Sequence, residues 1–432
     1  MPIFLEVYMK YVICTLGCKV NTYESGVMSD ILENANYKKA SNNEEADVVI
    51  INTCSVTNNA DVKSKKLIRQ MIRKHKNAYI IVTGCLSQVK ADEIAAIEGV
   101  DLVIGNKNKT KILDYLKEKE KRIDVYDISD TTFEPMKLNN FNKTRAFVKI
   151  QDGCNNFCSY CIIPYTRGNV RSKLKEDVLS EVENLIKNGH QEIVLTGIHT
   201  GNYNDFKNNY DFASLLEDLV KIKGLKRLRI SSIEMNEIND RVLKTIKENG
   251  ILVDHMHIPL QSGTDKILKL MNRKYNLKDF EEKINSIRKI RPNISITTDV
   301  IVGFPNETDE DFNKTKEFIK KIKFSKLHVF PYSKRTGTKA ALMENQIDEE
   351  VKKQRVRELL QLSKQLESEY ANKFVLKENY FLPEIYKDGY LIGHTGNYLL
   401  IKAKGNERDL HILRKIKITS FDGSYCKADI LN

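Results

Sequence analysis

The chain has 432 residues, 41% of them apolar and 30% charged, with 70 Lys and Arg against 58 Asp and Glu. At roughly 100–200 residues per domain, two to four domains are expected, and no run approaches the ~18 apolar residues of a membrane span. The net charge of +12 points to a polyanionic partner.

The start, Met1-Pro2-Ile3-Phe4-Leu5-Glu6-Val7-Tyr8-Met9-Lys10, lacks a basic n-region and a small-residue cleavage site. A secretory signal peptide is therefore not expected, and the expected compartment is the cytoplasm. Met9 offers a second candidate start.

The first ~115 residues alternate strand and helix signals. Predicted strands are Tyr11–Leu16, Asp47–Thr53, Tyr79–Thr83 and Leu102–Ile104. Predicted helices are Thr22–Asn34, Ala60–Lys76, Gln88–Ile97 and Thr110–Lys119. This order implies a parallel, doubly wound α/β sheet in a domain over 9–119. Residues 120–143 are polar and aperiodic and read as a linker.

A second α/β series follows over 144–374. Its predicted strands are Ala146–Ile150, Glu192–Thr196, Arg227–Ser232, His255–Leu260, Ser295–Val302 and Lys326–Tyr332. Helical patterns fall between them, among them Val178–Lys187, Phe212–Ile222, Leu277–Ile290 and Asp309–Ile322. Six such repeats suggest a partial (βα)6 barrel, followed by a long amphipathic helix, Glu349–Phe374. The tail over 375–432 carries strand-like runs at Tyr380–Ile385, Tyr398–Lys402, Lys415–Thr419 and Cys426–Ile430. Asp388-Gly389 and Asp422-Gly423 mark turns, so a small β-barrel is expected.

Eight cysteines in such a chain argue for metal or redox work rather than disulfides. Cys154, Cys158 and Cys161 stand in the pattern C-x3-C-x2-C, with Tyr160 before the last. Zinc sites usually take four ligands, so a lone trio fits zinc poorly. Iron–sulfur clusters are held by thiolates, usually four. Three thiolates on a four-iron cluster leave one iron open to a ligand that is not protein.

Cys18, Cys54 and Cys85 are spread over nearly seventy residues, yet each lies just after a predicted strand. In a parallel sheet the strand C-termini share one edge, where ligands bind. The separations are each about one βαβ unit, roughly 30 residues or more. Gly17 and Gly84 precede two of these cysteines and permit tight turns. Three cysteines so placed can converge. Cys14 falls inside its strand and is excluded as a ligand, and Cys426, far from both trios, reads as a free thiol.

The runs Thr15-Leu16-Gly17-Cys18-Lys19-Val20-Asn21, Ile51-Asn52-Thr53-Cys54-Ser55-Val56-Thr57 and Val82-Thr83-Gly84-Cys85 resemble the N-terminal motifs of methylthiotransferases. Lys149 through Pro164 resembles the radical S-adenosylmethionine (SAM) motif of the same family. The resemblance runs from about residue 10 to 430. Within the family, Leu195–Gly201, His328–Thr338 and Gly17–Asn21 resemble the branch acting on N6-threonylcarbamoyladenosine in tRNA. The tail resembles the family's small RNA-binding TRAM barrel.

The resemblance implies two [4Fe-4S] clusters, each with three Cys ligands: Cys154, Cys158 and Cys161 for one, Cys18, Cys54 and Cys85 for the other. The first would bind SAM at its open iron and, once reduced, yield a 5′-deoxyadenosyl radical that abstracts hydrogen from C2 of the adenine. The second would carry the sulfur that is methylated and transferred. An external electron donor is implied. The two clusters must face each other across the substrate.

Thr196 and Gly197, at a strand end, are expected beside the SAM amino group, and Tyr160 near the adenine. Ser232, Glu234, Gln261 and Gly303 follow other strands and face the expected mouth. Arg145, Arg167, Arg171, Lys334 and Arg335 flank these sites and are expected to meet RNA phosphates. Residues 61–76 add seven Lys and Arg against one Asp. Residues 372–432 hold ten Lys and Arg against seven Asp and Glu. Methylthiolation of isopentenyladenosine or of a ribosomal-protein aspartate are the alternatives within the family. A non-catalytic iron–sulfur carrier or RNA-binding sensor is the alternative outside it.

Overall fold

The run Val48-Val49-Ile50-Ile51-Asn52-Thr53 is buried at every position, as befits a central parallel strand covered on both faces. In the computed structural model, which describes residues 8–129 and 132–431, it lies within a six-stranded parallel sheet. The strands are β1 (Lys10–Thr15), β2 (Lys38–Lys39), β3 (Val48–Thr53), β4 (Tyr79–Gly84), β5 (Leu102–Ile104) and β6 (Arg122–Asp124), in the order β2-β1-β3-β4-β5-β6. Helix α1 (Lys19–Asn34) starts directly after Cys18, α2 (Asn58–Lys74) is capped by the Thr57 side chain, and α3 (Cys85–Val89) starts at Cys85 itself.

Two edge strands and the break of the expected Gln88–Ile97 helix into α3 and a second short helix, Ala91–Ala95, differ from expectation. The expected linker is also corrected. Arg122–Asp124 pairs with β5 to complete the sheet, and Met136, Leu138 and Phe141 are buried in the core of the next unit. These apolar side chains are spaced among polar ones, so composition hid them. Positions 130–131 of that segment, the start through Val7, and position 432 lie outside the described residues.

The second unit splits its six parallel strands into two sheets. They are β7 (Arg145–Lys149), β8 (Glu192–Thr196) and β9 (Arg227–Ile230), in the order β9-β8-β7, and β10 (His255–His257), β11 (Ser295–Val302) and β12 (Lys326–Pro331). A bridge from Leu228 to Leu252 joins the two sheets on the β9 side. One continuous apolar core, from Ala146 to Leu366, fills the space between strands and helices.

The tail closes as a five-stranded barrel of β13 (Glu378–Lys387), β14 (Tyr390–Thr395), β15 (Leu400–Lys404), β16 (Arg414–Phe421) and β17 (Cys426–Ile430). Cys426 is buried in its core. It docks on the strand beginnings of the second unit. Arg227 donates to the Tyr380 and His394 carbonyls at 2.6 and 3.1 Å, and Leu413 N–H donates to Gln191 Oε1 at 2.7 Å. Tyr398 stacks between His255 and His394, with ring centroids at 4.5 and 4.6 Å. Among the described residues no helix is long and apolar enough to cross a membrane.

Candidate cluster sites and the chamber between them

Cys154, Cys158 and Cys161 occupy the loop that leaves β7 and ends in the short helix Ile163–Arg167. The loop turns at Gly153, with φ +72°, where a Cβ would stand 1.9 Å from the Asn169 carbonyl oxygen. Burial pushes the Cys161 thiol up to about 12; the Ile163 N–H, 3.4 Å away, opposes this, and Cys158 and Cys154 add to it. The three sulfurs therefore sit within each other's fields. Arg273 Nη1 lies 3.4 Å from Cys158 Sγ, and His199 Nδ1 lies 3.8 Å from Cys154 Sγ.

Cys18, Cys54 and Cys85 are carried to one edge of the N-terminal sheet by β1, β3 and β4. A side chain at Gly17 would come within 3.0 Å of Cys54 Sγ, so the Cys18 loop lies directly on Cys54. Burial pushes the Cys54 thiol up to about 11; the Val56 N–H opposes this, while Cys85 and Cys18 add to it. Asn106 Nδ2 stands 3.7 Å from Cys85 Sγ. Cys14 stays in β1, with its sulfur 3.5 Å from Met71 Sδ.

Among the described residues no three His, Cys, Asp or Glu side chains converge as they would on a single metal ion. A lone zinc holds each sulfur at about 2.3 Å. Two open trios of soft thiols, each without a fourth protein ligand among the described residues, instead suit iron–sulfur cubes that take each thiolate at its own iron.

A buried charge network joins the trios. Glu24 of α1 accepts from Lys149 Nζ at 2.8 Å and Arg167 Nη1 at 2.7 Å, and pairs with Lys109. Arg167 continues to Asn21 Oδ1 at 2.6 Å and to Asp152 at 3.3 Å, and Arg171 reaches Asp152 at 3.1 Å. Burial alone would raise the Glu24 carboxyl, but Arg167, Lys109 and Lys149 together hold it well below the usual range. Asn106 adds a donor to the Thr166 carbonyl at 2.7 Å. A second tie holds the Cys54 loop: Arg335 donates to Ser55 Oγ at 2.7 Å, Asn58 Oδ1 at 2.7 Å and Asp61 Oδ2 at 3.1 Å.

These contacts correct the expected RNA-facing set. Arg167 is 0% exposed and Arg335 5%, and both are spent on internal carboxylates and amides. Arg171 serves Asp152, and Arg145 pairs with Glu384 at 3.0 Å beside Tyr398, at the end of the barrel opposite the trio. An arginine near a motif matches buried carboxylates as well as phosphates, so sequence could not tell the two apart. Lys334 is exposed.

The expected SAM-side residues fall into three groups. Thr196 ends β8, its carbonyl accepting from Ile150 N–H at 2.9 Å, and Gly197 packs on Gln151. Ser232 is half-buried after β9, and Glu234 pairs with Arg273, which reaches Cys158. A cavity of about 240 Å³ opens there, lined by Cys158, His199, Glu234, Glu237, Arg273 and Tyr275. Tyr160 packs edge-on against Phe304, centroids 6.4 Å apart, next to Gly303. Lys352 packs over Gly303. Gln261 is buried, bridging to β11 through Asp299 O and Ile301 N–H at 2.9 Å. Sequence reading missed Gln151, His199 and Arg273. Gln151 ties the Gly197 loop to the trio, its amide donating to the Asp152 and Gly153 carbonyls at 2.7 Å. The Gln next to the trio and the His after Gly197 were visible signals; Arg273, over a hundred residues on, carried none.

Residues 148–319 match the radical SAM superfamily, and residues 10–105 match the uncharacterized protein family UPF0004. The threonylcarbamoyladenosine tRNA methylthiotransferase MtaB of Bacillus subtilis is 44% identical, with 94% of this chain and 92% of that protein covered. The MtaB of Thermotoga maritima is 38% identical, covering 96% of each. The tRNA-2-methylthio-N(6)-dimethylallyladenosine synthase of Clostridium tetani is 36% identical, covering 94% and 92%. The radical SAM methyltransferase TsrM of Kitasatospora setae shares the fold at a TM-score of 0.56 and 13% identity, over 75% of each chain. Paired thiol trios at a sheet edge and a barrel mouth, together with this identity over nearly the whole length, place the sequence: the chain belongs to the radical SAM methylthiotransferase family.

Proposed function

We propose that this protein transfers a methylthio group to C2 of N6-threonylcarbamoyladenosine at position 37 of tRNA. The observation that carries this reading is the joining of the two thiol trios by one buried charge network, which brings sheet edge and barrel mouth together. The choice of nucleoside is supported by 44% identity to a threonylcarbamoyladenosine enzyme against 36% to a dimethylallyladenosine one.

The family brings SAM and a [4Fe-4S] cluster, for which Cys154, Cys158 and Cys161 are the proposed ligands. Cys18, Cys54 and Cys85 are the proposed ligands of a second. When bound, these groups supply a one-electron route to break a C–H bond that no side chain is basic enough to deprotonate, and the sulfur to replace it. The chain's own work is placement. Arg273 donates toward Cys158 Sγ and sets a fixed cation beside it. Gln151 holds the Thr196-Gly197 loop against the trio. Arg167 and Arg335 set the distance between sheet edge and barrel mouth.

The proposed units are residues 9–119 with the second trio, 144–374 with the SAM site, and 375–432 as the RNA-binding tail. For the phosphate path the exposed cations of α2 (Lys63, Lys66, Arg69, Arg73 and Lys74) replace the buried arginines, with Lys334 beside them. Asn58 at the start of α2 donates to the Lys334 carbonyl at 3.2 Å, so Lys334 lies at the start of this helix. A cytoplasmic location and an external electron donor complete the reading.

Expression in a host lacking its own methylthiotransferases, followed by mass spectrometry of tRNA nucleosides, tests it. The expected product is 2-methylthio-N6-threonylcarbamoyladenosine. Unmodified precursor with no such product would sink the reading.

A further inference from the structure

The N-terminal sheet has a fourth strand end on the edge that carries the cysteines. Strands β1, β3, β4 and β5 are neighbours in that order. The first three are followed by Cys18, Cys54 and Cys85, and β5 is followed by Gly105 and Asn106. Asn106 is only 3% exposed, so its polar atoms must be satisfied inside the protein. Its backbone N–H donates to Gln88 Oε1 at 2.8 Å, and the Gly105 carbonyl accepts from Thr83 Oγ1 at 2.9 Å. The loop is thus tied to β4 and α3, the two elements that carry Cys85.

Asn106 stands where a fourth ligand would, but its amide is turned the wrong way for one. An ammonium only donates and a peptide carbonyl only accepts. Lys109 Nζ, at 2.9 Å, therefore fixes the position of the Asn106 oxygen, and the Thr166 carbonyl, at 2.7 Å, fixes that of the nitrogen. That nitrogen carries two hydrogens. Thr166 takes one, and Cys85 Sγ, at 3.7 Å, is the acceptor for the other. Thr166 lies in the short helix Ile163–Arg167, whose Ile163 N–H meets Cys161 Sγ at 3.4 Å. One buried amide thus joins a sulfur of the sheet-edge trio to a helix that starts on a sulfur of the barrel trio.

Resting on the cluster assignment made above, we propose that Asn106 donates a hydrogen bond to the Cys85 thiolate and thereby raises the reduction potential of the cluster at Cys18, Cys54 and Cys85. Hydrogen bonds to cluster sulfurs are among the levers that set such potentials. A donor beside the sulfur stabilises the reduced cluster, which carries one more negative charge, over the oxidised one. Asn106 leaves the open iron open, because its oxygen is spent on Lys109.

The test uses the full-length chain with Cys154, Cys158 and Cys161 replaced by Ala and reconstituted anaerobically, so that the sheet-edge cluster alone is read. Redox titration followed by EPR should show Asn106→Leu and Asn106→Ser shifted to more negative potential at unchanged iron content. If the Leu side chain does not fit beside Lys109, the Ser variant carries the test. Pulsed EPR of the reduced cluster, in protein made with isotopically labelled asparagine, should show a side-chain nitrogen coupling that both variants lose. In the complementary chain, with Cys18, Cys54 and Cys85 replaced by Ala, the same Asn106 variants should leave the barrel cluster's potential where it was. An equal shift there would overturn the proposal and leave Asn106 a structural tie. Absence of the nitrogen coupling before substitution would overturn it as well. Loss of iron in both variants would overturn it in favour of a role in holding the cluster. A chain that binds no iron once the barrel trio is removed would take away the cluster assignment together with the inference. Iron bound with an unmoved potential removes the inference alone.

Discussion

Six of the eight cysteines carry the proposed chemistry, and the other two are its controls. Cys14 is four residues from Cys18 yet lies within β1 and packs on Met71, and Cys426 is sealed in the tail barrel. Replacing Cys18, Cys54 and Cys85 together by Ala should remove about half of the iron from anaerobically reconstituted protein, since on the proposed reading each trio would hold one cube of similar iron count. Cys14→Ala should remove none; iron lost there would redraw the second site. The thiols were legible because cysteine is sparse and their spacing is regular. Arg167 and Arg335 were misread for the converse reason. A guanidinium suits phosphate and carboxylate alike, and which one it meets depends on Glu24 and Asp61, which are distant in sequence.

Elements place those residues, and here the sequence was most readable where strands were long and β-branched. The runs at Val48–Thr53 and Ser295–Val302 declare themselves, whereas Lys38–Lys39 and Arg122–Asp124 are too short and polar to do so. Their pairing is decided by neighbours already in the sheet. The turn from β4 into α3 was half legible: Gly84 marked it, but the start of the helix at Cys85 did not. Gly84 has φ +101°, and a Cβ there would stand 2.4 Å from the Thr53 carbonyl oxygen. Gly84→Ala should therefore cost about 2 kcal/mol or more. It should also displace Cys85, lowering both the thermal midpoint and the iron content. An unchanged iron count would mean that α3 tolerates a shifted start.

At the scale of the molecule, Glu24 is the point where three cations from different segments meet: Lys109 after β5, Lys149 at the end of β7, and Arg167 beyond the trio. Such a network was not legible at all, because each member alone looks like ordinary surface charge. Removing one partner of a buried cluster of this kind typically costs about 3–5 kcal/mol, so Glu24→Gln should lower the urea midpoint of the cluster-free chain markedly at pH 7. The Glu24 and Asp152 carboxyls are depressed in the folded state. Their contribution is therefore complete above the ordinary carboxylate range, about pH 4, and fades as pH falls below it toward the folded values. The gap between wild type and Glu24→Gln should hold from pH 7 to about 4 and narrow only beneath that. A gap already closed at pH 5 would contradict the assignment.

The docking of the tail against the strand beginnings has a metric consequence. The thiol trios lie at the strand ends, while Tyr398, Tyr380 and His394 sit at the opposite rim. Strands of three to eight residues separate the two, or roughly 10–26 Å at ~3.3 Å per residue. On the proposed reading, in which the tail holds the tRNA while one base is offered to the mouth, the polynucleotide would have to span that length. The body would then act as a caliper, accepting a nucleotide by its distance from the held segment as well as by its chemistry.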